Sequence, residues 1–472
     1  MIKAVMDLIN GVPPSEPSRR GGRGRALSLV LAALLVVTVG VAGYEVKREH
    51  DQAKAHERVA LARRLALAAA ELREDDGVRA RNLGLAAVKI HSDEQTRAAL
   101  IDTLVGWRRT DVYALNPHAV LDVALTGDGK TALFSDEDGV YALNVEDWLD
   151  DKKSRPVELK KAREGDVRAV ALSFDGRTAL TGDADGTTSV WDLTDADRPA
   201  RLATLPAQGK SEHQGVEALA LSRDGRIAVI GDFAGAMTVW DLTDLSHPRR
   251  LSSTQAHASD IRDAALSADG RIAVTGESER VTVWTLADPA HPVKKAEPVL
   301  PENFAEATAM SADGRTIVVA NAGRADVWRL DDRARPVHTA ALDVPPIDMY
   351  DVAVTPDGKT ALMAGAGGTG FLWDLSDPHR PVQSARLRGY SQDVGSVALN
   401  ADGRIALMAS PDRGLSLWDL HDLAAIAADP AGFVCSTSQW QLSRADWLRY
   451  AGGADLPDSG GDQDSVQLCA IH

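Results

Sequence analysis

Few stretches of this 472-residue chain combine residue types at a spacing that chemistry needs. Gly365, Gly367, Gly368 and Gly370 match the dinucleotide fingerprint as a string. That fingerprint works only between a strand and a helix, where the helix N-terminus meets a pyrophosphate. Here apolar runs of strand length flank it on both sides, so it reads as a flexible turn. The clusters Asp136-Glu-Asp138 and Asp183-Ala-Asp185 carry oxygens that suit calcium. They lack the further ligand spacing of a calcium loop and read as solvated turns. No phosphate loop ending Gly-Lys-Ser/Thr, no His-Glu-x-x-His and no Gly-x-Ser-x-Gly occurs. The 12 histidines are scattered, with none at metal-ligand spacing from another His or Cys. The expectation is a chain without catalytic residues, bound metal or cofactor.

What does recur is structural. Asp-Gly pairs stand at 128, 175, 224, 269, 313, 357 and 402, in steps of 47, 49, 45, 44, 44 and 45 residues. A period in that range marks a repeat architecture. Four residues before each Asp sits an alanine, then an apolar residue, then Ser, Thr or Asn; two residues after it comes Lys or Arg. Apolar runs on either side of Asp-Gly read as a β-hairpin, because glycine supplies the positive φ of a tight turn. The repeated alanine suits an inner strand crowded toward a common axis. Fifteen or sixteen residues after each Asp a third strand ends in Trp191, Trp240, Trp284, Trp328, Trp373 or Trp418, with Leu143 in the first repeat. The connectors leave room for a fourth strand per period. Their regular spacing makes the tryptophans core rather than a sugar-binding stripe.

At these residues, from about Thr110 to Leu420, the chain resembles the WD-repeat family. The resemblance implies an all-β fold, a seven-bladed β-propeller, here preceded by a transmembrane helix and a helical stalk. A spare strand from Thr110 to Leu115 is expected to close the ring beside Leu415–Asp419. The family's Gly-His pair is mostly missing. His257 and His213 are stand-ins, and other repeats offer Gly165-Asp166 or Gly389-Tyr390.

Five segments are expected: 1–25 as a cytoplasmic N-terminal segment, 26–44 as the membrane helix, 45–106 as the stalk, 107–423 as the propeller and 424–472 as a C-terminal extension. Residues 26–44 carry no charge. Nineteen helical residues span about 28 Å, close to the thickness of a bilayer core. Arg19, Arg20, Arg23 and Arg25 before it favour a cytoplasmic N-terminus; a cleaved signal peptide is the alternative. The stalk reads as helices over about 45–75 and 78–90 and a third capped by Ser92. Stalk and tail look similar to those of membrane-anchored bacterial WD-repeat proteins. The only cysteines, Cys435 and Cys469, form a disulfide in an oxidising compartment or stay as two free thiols. The localisation expected is a single-pass cell-membrane protein with the propeller outside the cytoplasm.

The formal net charge is −16, with residues 1–110 at +5 and the remainder at −21. An acidic propeller repels phosphate backbones, which argues against nucleic acid. Two functions survive: a membrane-tethered scaffold for a protein partner, or a propeller enzyme or small-ligand sensor using the central channel. Against the second, no charged or histidine residue recurs at the inner-strand positions where the repeats give alanine. In the family, partners favour the face formed by loops before the first strand and between the second and third. Carried here, that face offers Asp166, Phe233, Phe304, Met349, Tyr350 and Tyr390, ringed by acids around Asp183, Asp232 and Glu277.

Overall fold

The structure, a computed structural model, describes residues 22–113, 120–136, 139–151, 156–161, 167–207, 215–277, 280–298, 306–321, 323–331, 335–412, 414–437, 440–452, 454 and 465–470. Each Asp-Gly pair sits in a turn closed by its own side chains. Gly225 has φ 69° and Gly403 φ 67°, left-handed backbone that a Cβ disfavours. Ser222 Oγ donates to Asp224 Oδ1 at 2.7 Å and accepts the N–H of Ile227 at 2.9 Å, where the next strand opens. Asp224 Oδ1 also accepts the N–H of Arg226. The hydroxyl-to-Asp bond recurs at Thr126, Ser173, Ser267, Ser311 and Thr355. In the seventh turn Asn400 accepts the N–H of Ile405 instead. The repeated polar triplet is therefore turn chemistry: it satisfies backbone groups that would otherwise be buried unpaired.

Each turn joins the first two strands of a four-stranded antiparallel sheet, and there are seven such sheets. Blade 1 runs from Val120–Leu125 to Val157–Lys161, blade 2 from Val167–Leu172 to Ala200–Leu205, and blade 3 from Val216–Leu221 to Arg249–Gln255. Blade 4 runs from Asp263–Leu266 to Val293–Ala296, blade 5 from Ala307–Met310 to Pro336–Leu342, and blade 6 from Met349–Val354 to Val382–Leu387. Blade 7 takes Ser396–Leu399, Ile405–Ser410 and Gly414–Asp419 from its own repeat. Its fourth strand, Arg109–Tyr113, comes from upstream of blade 1 and pairs antiparallel, with Arg109 opposite Trp418 and Thr110 opposite Leu417. The first strand of blade 7 packs against that of blade 1, so the ring is closed. Gly367 and Gly368 lie in the turn between two strands of blade 6, at φ 79° and 65°.

The six tryptophans are buried between blades. Trp240 of blade 3 packs on Leu180 and Val190 of blade 2, and Trp373 of blade 6 on Val318 and Val327 of blade 5. Their indole N–H groups find different partners. In blade 4, Trp284 Nε1 donates to Thr275 Oγ1 at 2.9 Å, Thr275 meets His257 Nε2 at 2.7 Å, and His257 Nδ1 lies 3.4 Å from Glu277. In blade 7 the phenol of Tyr390 replaces the histidine and accepts Trp418 Nε1 at 2.9 Å. Trp328 and Trp373 have no acceptor among the described residues. The polar network is thus complete in the blade that keeps a histidine.

Three helices precede the ring: α1 (Gly22–Leu72), α2 (Gly77–Ile90) and α3 (Glu94–Gly106). The cap of α3 is Asp93 rather than Ser92, because Asp93 accepts the N–H of Thr96 while the Thr96 hydroxyl accepts that of Asp93. Helices and tail share one core. Leu65, Leu83, Leu85 and Leu100 pack with Ile426, Val434, Leu442 and Trp447. The tail contributes helices Leu423–Ala428, Pro430–Thr437 and Arg444–Tyr450, the last capped by Ser443. A disulfide joins Cys435 and Cys469. The second half of the helical stretch expected as a stalk packs against the chain's other end. Earlier in α1, residues 44–58 are exposed on every side.

The backbone of 26–44 is helical within α1, but most of its side chains, like residues 1–21, lie outside the described residues. Among the described residues no helix is long and apolar enough to cross a membrane.

Trp418→Ala should cost about 3–5 kcal/mol in chemical denaturation, since a fully buried indole and its hydrogen bond are removed. Arg226→Ala, at an exposed turn, should cost under about 1 kcal/mol. Equal losses would contradict this account of the repeat.

Candidate partner surface and central channel

The starts of the first strands and the turns between second and third strands lie at one end of the ring, because each first strand pairs antiparallel with its second. Of the six residues expected to contact a partner, the structure brings two to that surface. Phe233 and Tyr350 are each 38% exposed. Phe233 lies in the blade 3 turn beneath the Arg168 guanidinium, 5.8 Å from the ring centre. Tyr350 opens blade 6, and its hydroxyl donates to Asp393 at 3.3 Å.

Met349 and Tyr390 are corrections. Met349 is fully buried, packed with Val344 and Met363. Tyr390 serves Trp418 in the core. The strand's register decides the first case: a bulge between Met349 and Asp351 leaves Tyr350 outside and Met349 inside. Asp166 and Phe304 lie outside the described residues. The acidic ring also needs correcting. Asp183, Asp232 and Glu277 are buried at strand ends. Asp232 accepts the N–H groups of Ala234 and Ala236, and Glu277 serves His257 and Ser259.

Other charges supply the face. Arg168 bridges to Glu217 of the next blade at 2.5 Å, and Arg262 to Glu306 at 2.6 Å. With Asp260, Asp348 and Asp393 these make five carboxylates at this end of the ring, against four guanidinium groups once Arg280 and Arg324, which open third strands there, are included. The bridging residues stand three before the repeated alanine, a position that reads Arg168, Glu217, Arg262, Glu306 and Tyr350 in blades 2 to 6. That alternation is present in the sequence, but it changes sign from repeat to repeat and so is hidden from a pattern of invariant positions.

Another position of the inner strands does carry charge. Two residues before the alanine stand Asp122, Asp263 and Asp351, so charged residues do recur on the inner strands. Each carboxylate accepts its following N–H and one from the next blade: Asp122 from Val170 at 2.7 Å, Asp263 from Thr308 at 2.6 Å, Asp351 from Val397 at 2.7 Å. Ser396 Oγ lies 3.0 Å from Asp122 and 2.9 Å from Asp351, tying blades 6, 7 and 1. At the opposite end of the ring lies a cavity of about 210 Å³, walled by residues that include Leu125, Leu172, Leu221, Leu266, Met310 and Leu399.

Burial dominates these three acids. It pushes Asp122 up to about 6 and Asp263 up to about 7, against the hydrogen bonds that favour the charged form. Asp351 is raised well above the ordinary carboxyl value, by burial and then by Asp263 and Asp122. No group of three or more His, Cys, Asp or Glu among the described residues is arranged to hold a metal ion.

The geometry defines a seven-bladed β-propeller. Comparison with known proteins agrees: the family described as "WD domain, G-beta repeat" matches residues 156–192, the fourth strand of blade 1 and the first three of blade 2. A solved structure titled "Crystal Structure of Mitotic Checkpoint Complex" aligns at a TM-score of 0.54 and 18% identity, over 67% of this chain and 91% of that chain. At such identity the likeness is one of fold. No curated protein matches the sequence.

Unfolded, these carboxyls titrate near pH ~4. Between there and their folded values the native protein keeps protons that the unfolded chain has released. The contribution of Asp122 and Asp263 is therefore fully present below pH ~4 and is lost as pH rises through about 6 to 7. Asp263→Asn should raise Tm at pH ~8, where the wild type carries a buried charge, and change it little at pH ~5. The same Tm shift at both pH values would contradict the assignment.

Proposed function

We propose that the chain is a propeller scaffold that binds a protein partner and performs no catalysis of its own. The observation that carries this reading is the pair of exposed aromatics, Phe233 and Tyr350, on a face with a small excess of acids ringing the channel mouth. Aromatic side chains with a polar rim are the anchors that dominate protein interfaces. The acid excess favours a basic partner segment by electrostatic complementarity. The aligned solved structure is titled as a protein complex, which suits the same reading.

The reading places the chain at a cell membrane, anchored once through residues 26–44, with the propeller outside the cytoplasm. Support comes from the uncharged run, the arginines before it and the Cys435–Cys469 disulfide, a bond that persists in oxidising compartments. A bacterial origin resembling anchored WD-repeat proteins belongs to the same proposal. An alkaline phosphatase fused to the C-terminus should be active in a bacterial host, and an inactive fusion would reverse the orientation.

The partner face is tested by crosslinking in intact cells with a Phe233→Ala/Tyr350→Ala variant. The folded variant is expected to lose at least one crosslinked protein that the wild type captures. Retention of every partner would remove this face from the proposal.

A further inference from the structure

Away from the channel, the helices, the tail and blade 7 enclose a pocket of about 650 Å³. It lies where the two ends of the chain meet, and its size suits a small organic molecule. Leu104, Leu417, Ile426 and Phe433 give it apolar walls. Arg108, Asp419 and Asp422 sit at one side, already paired: Arg108 reaches Asp422 at 2.6 Å and Asp419 at 3.5 Å.

The remaining charge is Arg81, on α2. It is nine-tenths buried. Its guanidinium is sandwiched between two indoles, 3.6 Å from the ring centre of Trp107 and 3.4 Å from that of Trp440. Both rings are held in place. Trp440 Nε1 donates to Val434 O at 2.9 Å, and Trp107 crosses the start of α2, where a Cβ on Gly77 would come within 2.1 Å of its Nε1. Among the described residues Arg81 has no hydrogen bond or ion pair, and its Nε is enclosed without an acceptor. Burial alone lowers it, to about 10, so it keeps its charge at neutral pH. A buried guanidinium with no counter-anion is costly, since charges inside proteins are normally paired and hydrogen-bonded. Stacking offsets part of that cost but leaves the in-plane N–H donors unused.

We propose that this pocket is a binding site for a small monocarboxylate with an apolar body, whose carboxylate meets the in-plane donors of Arg81. Both faces of the guanidinium are covered, so a ligand must approach in its plane, the geometry that carboxylates fit. One negative charge suffices: Asp419 and Asp422 line the same pocket and repel a dianion. The apolar walls take the body. This site is independent of the partner face, since no residue of blades 3 to 6 lines it.

Hexanoate is a suitable probe, titrated into the full chain by calorimetry. Hexan-1-ol, hexylamine and inorganic phosphate serve as comparisons. Hexanoate should bind and raise Tm, with each comparison at least about tenfold weaker, the scale of a lost charge-assisted hydrogen bond. Arg81→Met keeps the stack without the charge and should weaken hexanoate about tenfold or more while leaving hexan-1-ol unchanged. If that variant fails to fold, Arg81→Lys, which keeps charge but loses the planar fork, should show the same direction. The site is overturned if the wild type does not bind hexanoate, if hexylamine or phosphate binds as well as hexanoate does, or if a folded Arg81 variant binds it undiminished.

Discussion

The pairing of Arg109–Tyr113 with Gly414–Asp419 is the contact on which the rest depends. Without it blade 7 has three strands and Gly414–Asp419 is left with an unpaired outer edge, and an edge of that kind invites aggregation. The strand is placed by more than its ladder. Arg109 donates to the carbonyls of Arg388 and Gly389 at 3.2 and 2.9 Å, and its guanidinium lies within 6 Å of the Tyr390 and Trp418 rings. The Trp-Tyr pair that stands in blade 7 where blade 4 has its histidine network thus also receives the closing strand. Loop-closure entropy grows only as the logarithm of length. Joining residues some 300 apart is therefore affordable when the contact completes a sheet.

Closure also fixes what happens outside the ring. Bringing the chain upstream of blade 1 beside the end of blade 7 places the N-terminal helices against the C-terminal tail. Asn82 Nδ2 donates to Gln441 O, Arg97 to the carbonyls of Ala427 and Ala428, and Arg79 pairs with Asp446. The disulfide then constrains the tail, a contribution of roughly 3–4 kcal/mol for a loop of that length in the chain-entropy model. The pocket around Arg81 exists only in this junction, with walls from α2, α3, the closing strand, blade 7 and the tail.

The ring was legible in the sequence because its signals are periodic. Glycine at 129, 176 or 225 marks a turn wherever it stands, and an indole every repeat marks one packing role. The inner-strand acids were legible too, but only to a reading that aligned positions varying between repeats: Asp122, Asp263 and Asp351 alternate with Ala169, Ala218, Ala307 and Ser396. Met349 and Tyr350 show a different limit. Which neighbour faces out depends on the register of one strand against Thr360–Gly365, where a bulge falls between Met349 and Asp351. Composition does not reveal that shift. The Arg81 sandwich was invisible for a third reason: Arg81, Trp107 and Trp440 are far apart in the chain, and nothing local relates them.

Hydrogen exchange read by mass spectrometry tests the closure most directly. If the ring depends on it, peptides covering 109–113 and 414–419 exchange together, as slowly as the buried second strand Thr178–Asp183. If 109–113 instead exchanges as fast as the exposed part of α1 while 414–419 stays protected, the ring holds without its closing strand and the account fails.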